Sequence, residues 1–161
     1  MKRIVVSCFL FLAVGIIRAQ TYGNEWIAYN QQYLKMAVTT DGLYRIDFTA
    51  LDAALSAIGE DLASIDPRNF QLFNKGIEQH IFIAGEADGN FDPSDFIEFY
   101  GRRNDGTSDT PLFDSAHFQL HQFESIITDT AIYFLTWNNL TDNARMTNLL
   151  NDLSGAPAAQ T

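Results

Sequence analysis

Residues 33–48 alternate between apolar and polar positions. Leu34, Met36 and Val38 are separated by Lys35 and Ala37, and Tyr44, Ile46 and Phe48 by Arg45 and Asp47. A period of two puts each apolar set on one face of an extended strand. Thr39-Thr40-Asp41-Gly42 lies between the two runs, and Asp-Gly in that position predicts a β-hairpin. The period then lengthens: Leu51, Ala54, Leu55 and Ile58 form an apolar stripe, which predicts a short helix over about 49–58. Thr49 is its expected cap, with Asp52 three residues on, and Gly59 stands at the C′ position.

A second hairpin follows. Phe70 and Leu72 share one face of the first strand, Asn74-Lys75-Gly76 makes the turn, and Ile81 and Ile83 share a face of the returning strand. Residues 96–100 form a third apolar strand, ended by Arg102-Arg103-Asn104-Asp105-Gly106. Residues 104–124 are less regular, whereas residues 131–137 are a dense aromatic and β-branched strand. Beyond Asn138 the apolar pattern thins, and residues 151–161 read as a linker or a truncated end. Short strands, frequent turn signals and one helix predict a mainly β fold, an antiparallel β-sandwich-like domain over residues 20–150.

Composition changes this picture at the amino end. Lys2 and Arg3 precede an apolar run from residue 4 to residue 17, and Ala19 before Gln20 offers a cleavage point, so residues 1–19 read as a secretory signal peptide. The run is shorter than the ~20 residues a membrane span needs, so no transmembrane segment is expected in the mature chain. Val5-Val6-Ser7-Cys8 imitates a lipoprotein box, but almost no hydrophobic segment precedes it. Cleavage takes away Lys2, Arg3 and Arg18 and moves the formal charge from −10 to −13. It also removes Cys8, the single cysteine, leaving no disulfide, thiol nucleophile or thiolate metal ligand. The acidity argues against nucleic acid and anionic lipid as partners. The expected destination is the periplasm, the outer-membrane surface or the medium.

The candidate chemistry is concentrated in residues 86–98, which hold five carboxylates and an Asn with no basic residue among them. Asp88, Asn90 and Asp92 have the D-x-N-x-D spacing of a calcium loop, and Asp95 and Glu98 complete a set of oxygen ligands. The loop departs from an EF-hand. Its sixth position is Pro93 where that motif has Gly, its twelfth is Phe99 where it has Glu, and no flanking helices are predicted. The alternative is a polar loop of Asx-turns in which Asp92-Pro93 starts a β-turn.

Other constellations are weaker. His117 and His121 stand four apart, but Phe118-Gln119-Leu120 between them carries no Glu, and His80 lies alone, so all three read as surface residues. No Ser sits in a Gly-x-Ser-x-Gly elbow and no Gly-rich phosphate loop is present, so no catalytic residue is assigned. The aromatics mostly alternate with polar residues as core does; Tyr22, Trp26, Tyr29 and Tyr33 are the ones that would stack on a sugar or polypeptide if exposed.

Five pieces in order resemble one family. They are Tyr22-Gly-Asn-Glu-Trp-Ile with Tyr29-Asn30, Asp41-Gly-Leu-Tyr-Arg-Ile46, Ile65-Asp-Pro-Arg-Asn-Phe-Gln-Leu-Phe-Asn74 with Gly76, the segment from Asp88 to Gly101, and Asp129-Thr-Ala-Ile-Tyr-Phe-Leu-Thr-Trp-Asn138. Together they resemble the amino-terminal region of PorU-like proteins, the type IX secretion system sortases among the gingipain-type cysteine peptidases. The resemblance implies a non-catalytic β-domain ahead of a peptidase domain whose His–Cys dyad lies downstream of residue 161. It implies as partners that peptidase domain, other type IX secretion components and protein substrates. The alternative function is a free-standing β-sandwich adhesin or glycan-binding module.

Overall fold

The computed structural model describes residues 23–115 and 118–147. The expected signal peptide, Tyr22, His117 and the expected linker lie outside them. The described chain is mainly β, with seven strands in two antiparallel sheets. Strands β1 (Leu34–Val38), β7 (Ala131–Trp137), β3 (Phe70–Asn74) and β4 (Ile77–Gln79) form one sheet in the order β1-β7-β3-β4. Strands β2 (Gly42–Asp47), β6 (Phe96–Gly101) and β5 (Phe82–Ala84) form the other, in the order β2-β6-β5.

Between the sheets the alternating residues interleave. Val38, Phe70, Leu72, Tyr133 and Leu135 of the first face Ile83, Ile97 and Phe99 of the second, and all are buried. Each such side chain contributes about 1.5–3 kcal/mol relative to an exposed position. Two fully buried hydroxyls, one facing the core and one on the outer side of β7, are satisfied. The Tyr133 hydroxyl accepts the Arg102 N–H at 2.8 Å, and the Thr136 hydroxyl donates to the Gln32 carbonyl at 2.6 Å.

The expected first hairpin does not form. β1 pairs with β7 and β2 with β6, so the two strands face each other across the sandwich. Residues 39–41 cross between the sheets as an arch. Gly42 has no positive φ, which the tight Asp-Gly hairpin turn would require, and the Asp41 carboxylate instead accepts the Arg103 N–H at 2.7 Å. The second turn does form: Lys75 (φ 49°) and Gly76 (φ 78°) join β3 to β4. Gly76 is also required by packing, since a Cβ there would meet the Trp26 indole at 2.8 Å. The returning strand is split at His80. β4 stays in the first sheet, while β5 crosses to the second and carries Ile83 into the core.

The helix α1 (Phe48–Ser56) begins directly from β2. Its cap is Asp47, not Thr49: Asp47 keeps extended backbone and its carboxylate accepts the Ala50 N–H at 2.8 Å. Leu51 and Leu55 are buried, but Ile58 of the expected stripe is exposed. Gly59 ends the helix with φ 82°, its N–H donating to Ser56 and the Glu60 N–H reaching back to Leu55.

Candidate functional site

The acidic segment connects β5 to β6. Gly85 (φ 86°) and Gly89 (φ 82°) bracket a single 3-10 turn, Glu86–Asp88. Past it, Asp88 accepts the Asn90 N–H at 2.9 Å, which is an Asx-turn. The Asp95 carboxylate accepts the Asp92 N–H at 2.7 Å, and the Asp95 N–H donates to the Asp92 carbonyl at 2.8 Å. Asp95 is buried against Gly85, where any Cβ would lie 2.1 Å from its carboxylate oxygen.

The five expected ligands are therefore drawn to different places. Asp88, Asn90 and Asp92 remain on the loop, Asp95 is turned inward, and Glu98 points from the outer face of β6 to Arg45 on β2 at 2.7 Å. That same guanidinium lies 3.8 Å from the centre of the Phe96 ring. Among the described residues, no group of three or more His, Cys, Asp or Glu side chains stands close enough to hold a metal ion.

Two other ionic contacts brace this end of the molecule, and a third, between Lys75 and Asp105, lies at the opposite ends of β3 and β6. Glu86 pairs with Arg145 at 2.8 Å. Asp66 accepts from Arg68 beside Gly89, and that bond holds the Asp66 carboxyl below its usual range. Asp105 is lowered to about 2, first by its bond from the Thr107 hydroxyl and then by Lys75.

The remaining candidates are distributed over the surface. His80 and His121 are exposed, with the His121 ring 5.8 Å from Phe123. Trp26 does not stand free for stacking. It lies 5.1 Å from Phe73, 5.5 Å from Phe134 and 5.7 Å from Tyr33, covering the outer face of the first sheet. Among the described three, Trp26, Tyr29 and Tyr33, it is Tyr29 that is exposed, at 85%.

Two surface features escaped the sequence pattern. The connection from β6 to β7 exposes Leu112, Phe118, Leu120, Phe123, Ile126 and Ile127. Its described residues are nonetheless tied together by side-chain hydrogen bonds. Buried Asp109 accepts from the Ser125 hydroxyl and the Ile126 N–H, and Gln119 bonds both Gly106 and Thr110. Seven large apolar residues within sixteen, following neither a two-residue nor a helical period, were the available signal. The second feature is a polar cleft of about 320 Å³ among Asn30, Gln31, Gln32, Glu60, Trp137, Asn138 and Asn139. No helix among the described residues is long and apolar enough to cross a membrane. No family model, curated protein or solved structure matches the chain.

Proposed function

We propose that the chain is a non-catalytic amino-terminal domain of an exported gingipain-type cysteine peptidase resembling the type IX secretion sortase, whose role is to process secreted proteins and anchor them at the cell surface. The observation that carries this reading is where the five resembling segments fall. They supply Trp26 over the first sheet, β2, β3 with the 3-10 turn before it, β6 and β7. The likeness thus belongs to one scaffold rather than to a reactive centre, as expected of a domain that positions another. The apolar connection between β6 and β7 suits such a role, because Phe113, Phe118, Leu120 and Ile126 line one recess and exposed apolar surface that clusters in this way marks protein–protein contact. Thiol chemistry would come from the neighbouring domain, where an imidazole activates the thiolate.

The test is to read the coding DNA 3′ of codon 161. An in-frame extension with a His–Cys pair is expected, and a stop codon at that point would overturn the reading. The second reading, an adhesin or glycan-binding module, is favoured by the cleft beside Trp137. Its carboxamides offer paired donors and acceptors suited to sugar hydroxyls, and those of Asn30 and Asn139 make no hydrogen bond among the described residues.

A further inference from the structure

The sandwich has two flanks, and the chain treats them differently. Beside β4 and β5, residues 144–146 run along the gap between the sheets. The Ile81 N–H donates to the Ala144 carbonyl, the Met146 N–H donates to the Ile81 carbonyl at 2.8 Å, and Arg145 forms a parallel bridge with Ile81. An extended segment thus closes that flank. On the other flank, β1 and β2 are each the last strand of their sheets, and no described residue pairs with their outer edges. Leu34, Met36 and Ile46 point inward there yet stay only half-buried. With Ala50, Leu51 and Ala54 of α1 and Leu135 behind them, they line an apolar groove of about 320 Å³.

The charged residues bordering this groove are Lys35 and Arg45, which alternate with the inward Leu34, Met36 and Ile46 and so project from the outer faces of β1 and β2; no acidic residue lines it, although the whole chain carries −10. Arg45 is engaged with Glu98 and Phe96, whereas Lys35 makes no ion pair among the described residues. We propose that the groove binds an extended segment of another protein, which adds as a strand to the free edge of β1, seats one apolar side chain over Leu51 and Leu135, and sets a carboxylate against Lys35. Main-chain hydrogen bonds to an open edge give such binding its affinity, and the pocket gives it selectivity. A second copy of the chain is the poorer occupant. Antiparallel pairing of two β1 edges would bring one Lys35 close to the other, and like charges across a strand pair are unfavourable. The lysine thus repels self-pairing and attracts an acidic strand at once. This assignment stands on the flank alone and is independent of any peptidase domain.

The experiment titrates the purified chain into a fluorescent heptapeptide of alternating Val and Thr with a central Leu and a Glu at each end, followed by anisotropy. Saturable binding is expected. Ala54→Phe fills the groove from a half-buried position on α1 and should weaken binding about tenfold, and Lys35→Glu several-fold. A Lys-ended peptide should bind less tightly than the Glu-ended one, and a peptide N-methylated along one edge not at all. Circular dichroism checks that each variant is folded; if Ala54→Phe is not, Lys35→Glu and the paired peptides decide the matter. Three results would overturn the proposal: no saturation, equal affinity for the two charged peptides, or sedimentation showing that Ala54→Phe acts only by separating a dimer.

Discussion

The two flanks of the sandwich carry the same kind of opening and resolve it in opposite ways. Beside β4 and β5, Arg145 reaches into the gap with a side chain only 19% exposed. It donates to Glu86 at 2.8 Å, to the Arg68 carbonyl at 2.8 Å, to Phe70 at 3.1 Å and to Pro67 at 3.2 Å. Asn143 and Ala144 extend the seal, bonding the Arg68 carbonyl and the Glu78 carboxylate. Beside β1 and β2 no such segment is present among the described residues, and Met36 and Ile46 are left at the boundary between core and solvent. The difference shows what closes a sandwich: two facing edges are not sealed by apolar packing alone but by a strand-like segment whose polar groups answer the free backbone.

The largest expected effect follows from removing that seal. Arg145→Ala leaves Glu86 and the Pro67 and Phe70 carbonyls without this donor, while the Arg68 carbonyl keeps Asn143, and loss of one partner from a largely buried charge cluster costs about 3 kcal/mol. Urea unfolding should show the midpoint falling at nearly constant slope. Arg145→Lys should recover little, because one ammonium cannot span carbonyls the guanidinium bridges in a plane. A cost below about 1 kcal/mol would mean that the flank is held by apolar contacts after all.

A smaller effect is expected on the open side. Met36→Ala removes a half-exposed side chain and should cost about 1 kcal/mol, whereas Leu72→Ala, cut from the closed interior of β3, should cost about 3 kcal/mol. The same unfolding assay compares them directly. Equal costs would show that something covers the β1–β2 groove in solution.

Much of this contrast was not legible in the sequence, for identifiable reasons. The dense apolar runs of β6 and β7 are unambiguous, and Lys75-Gly76 announces its own turn. Alternation along β1 and β2 is equally clear, but it reports only that each strand has one apolar face. A hairpin and an arch across the core share that pattern, and the choice was made by β6 and β7, far along the chain. Which edges stay open follows from that choice, so the groove could not be read locally. Arg145 was invisible because four of its five acceptors are backbone carbonyls, which leave no mark on sequence. The acidic loop was found in the right place between β5 and β6, but its spacing said nothing about the Arg45 and Arg145 guanidinia that claim Glu98 and Glu86.

That last point sets the smallest expected effect, the response to calcium. A cation at Asp88, Asn90, Asp92, Asp95 and Glu98 would stabilise the native state by RT ln(1 + [L]/Kd), and the melting temperature would rise with concentration. To gather six or more oxygens it would have to draw Glu98 from Arg45 and Asp95 from the Asp92 N–H. Both bonds are charge-assisted, and Asp95 is held in place by Gly85 at its back. The expected outcome is therefore a shift of less than about 1 °C between EDTA and millimolar calcium. Glu98→Gln sharpens the comparison, since it weakens the pull on Arg45 without emptying the loop, and it should leave the calcium response equally flat. A rise of several degrees in the wild type that disappears in Asp88→Ala plus Asp92→Ala would instead establish the loop as a metal site, and would mean that the ion rearranges the carboxylates that now serve as turn-formers and ion-pair partners.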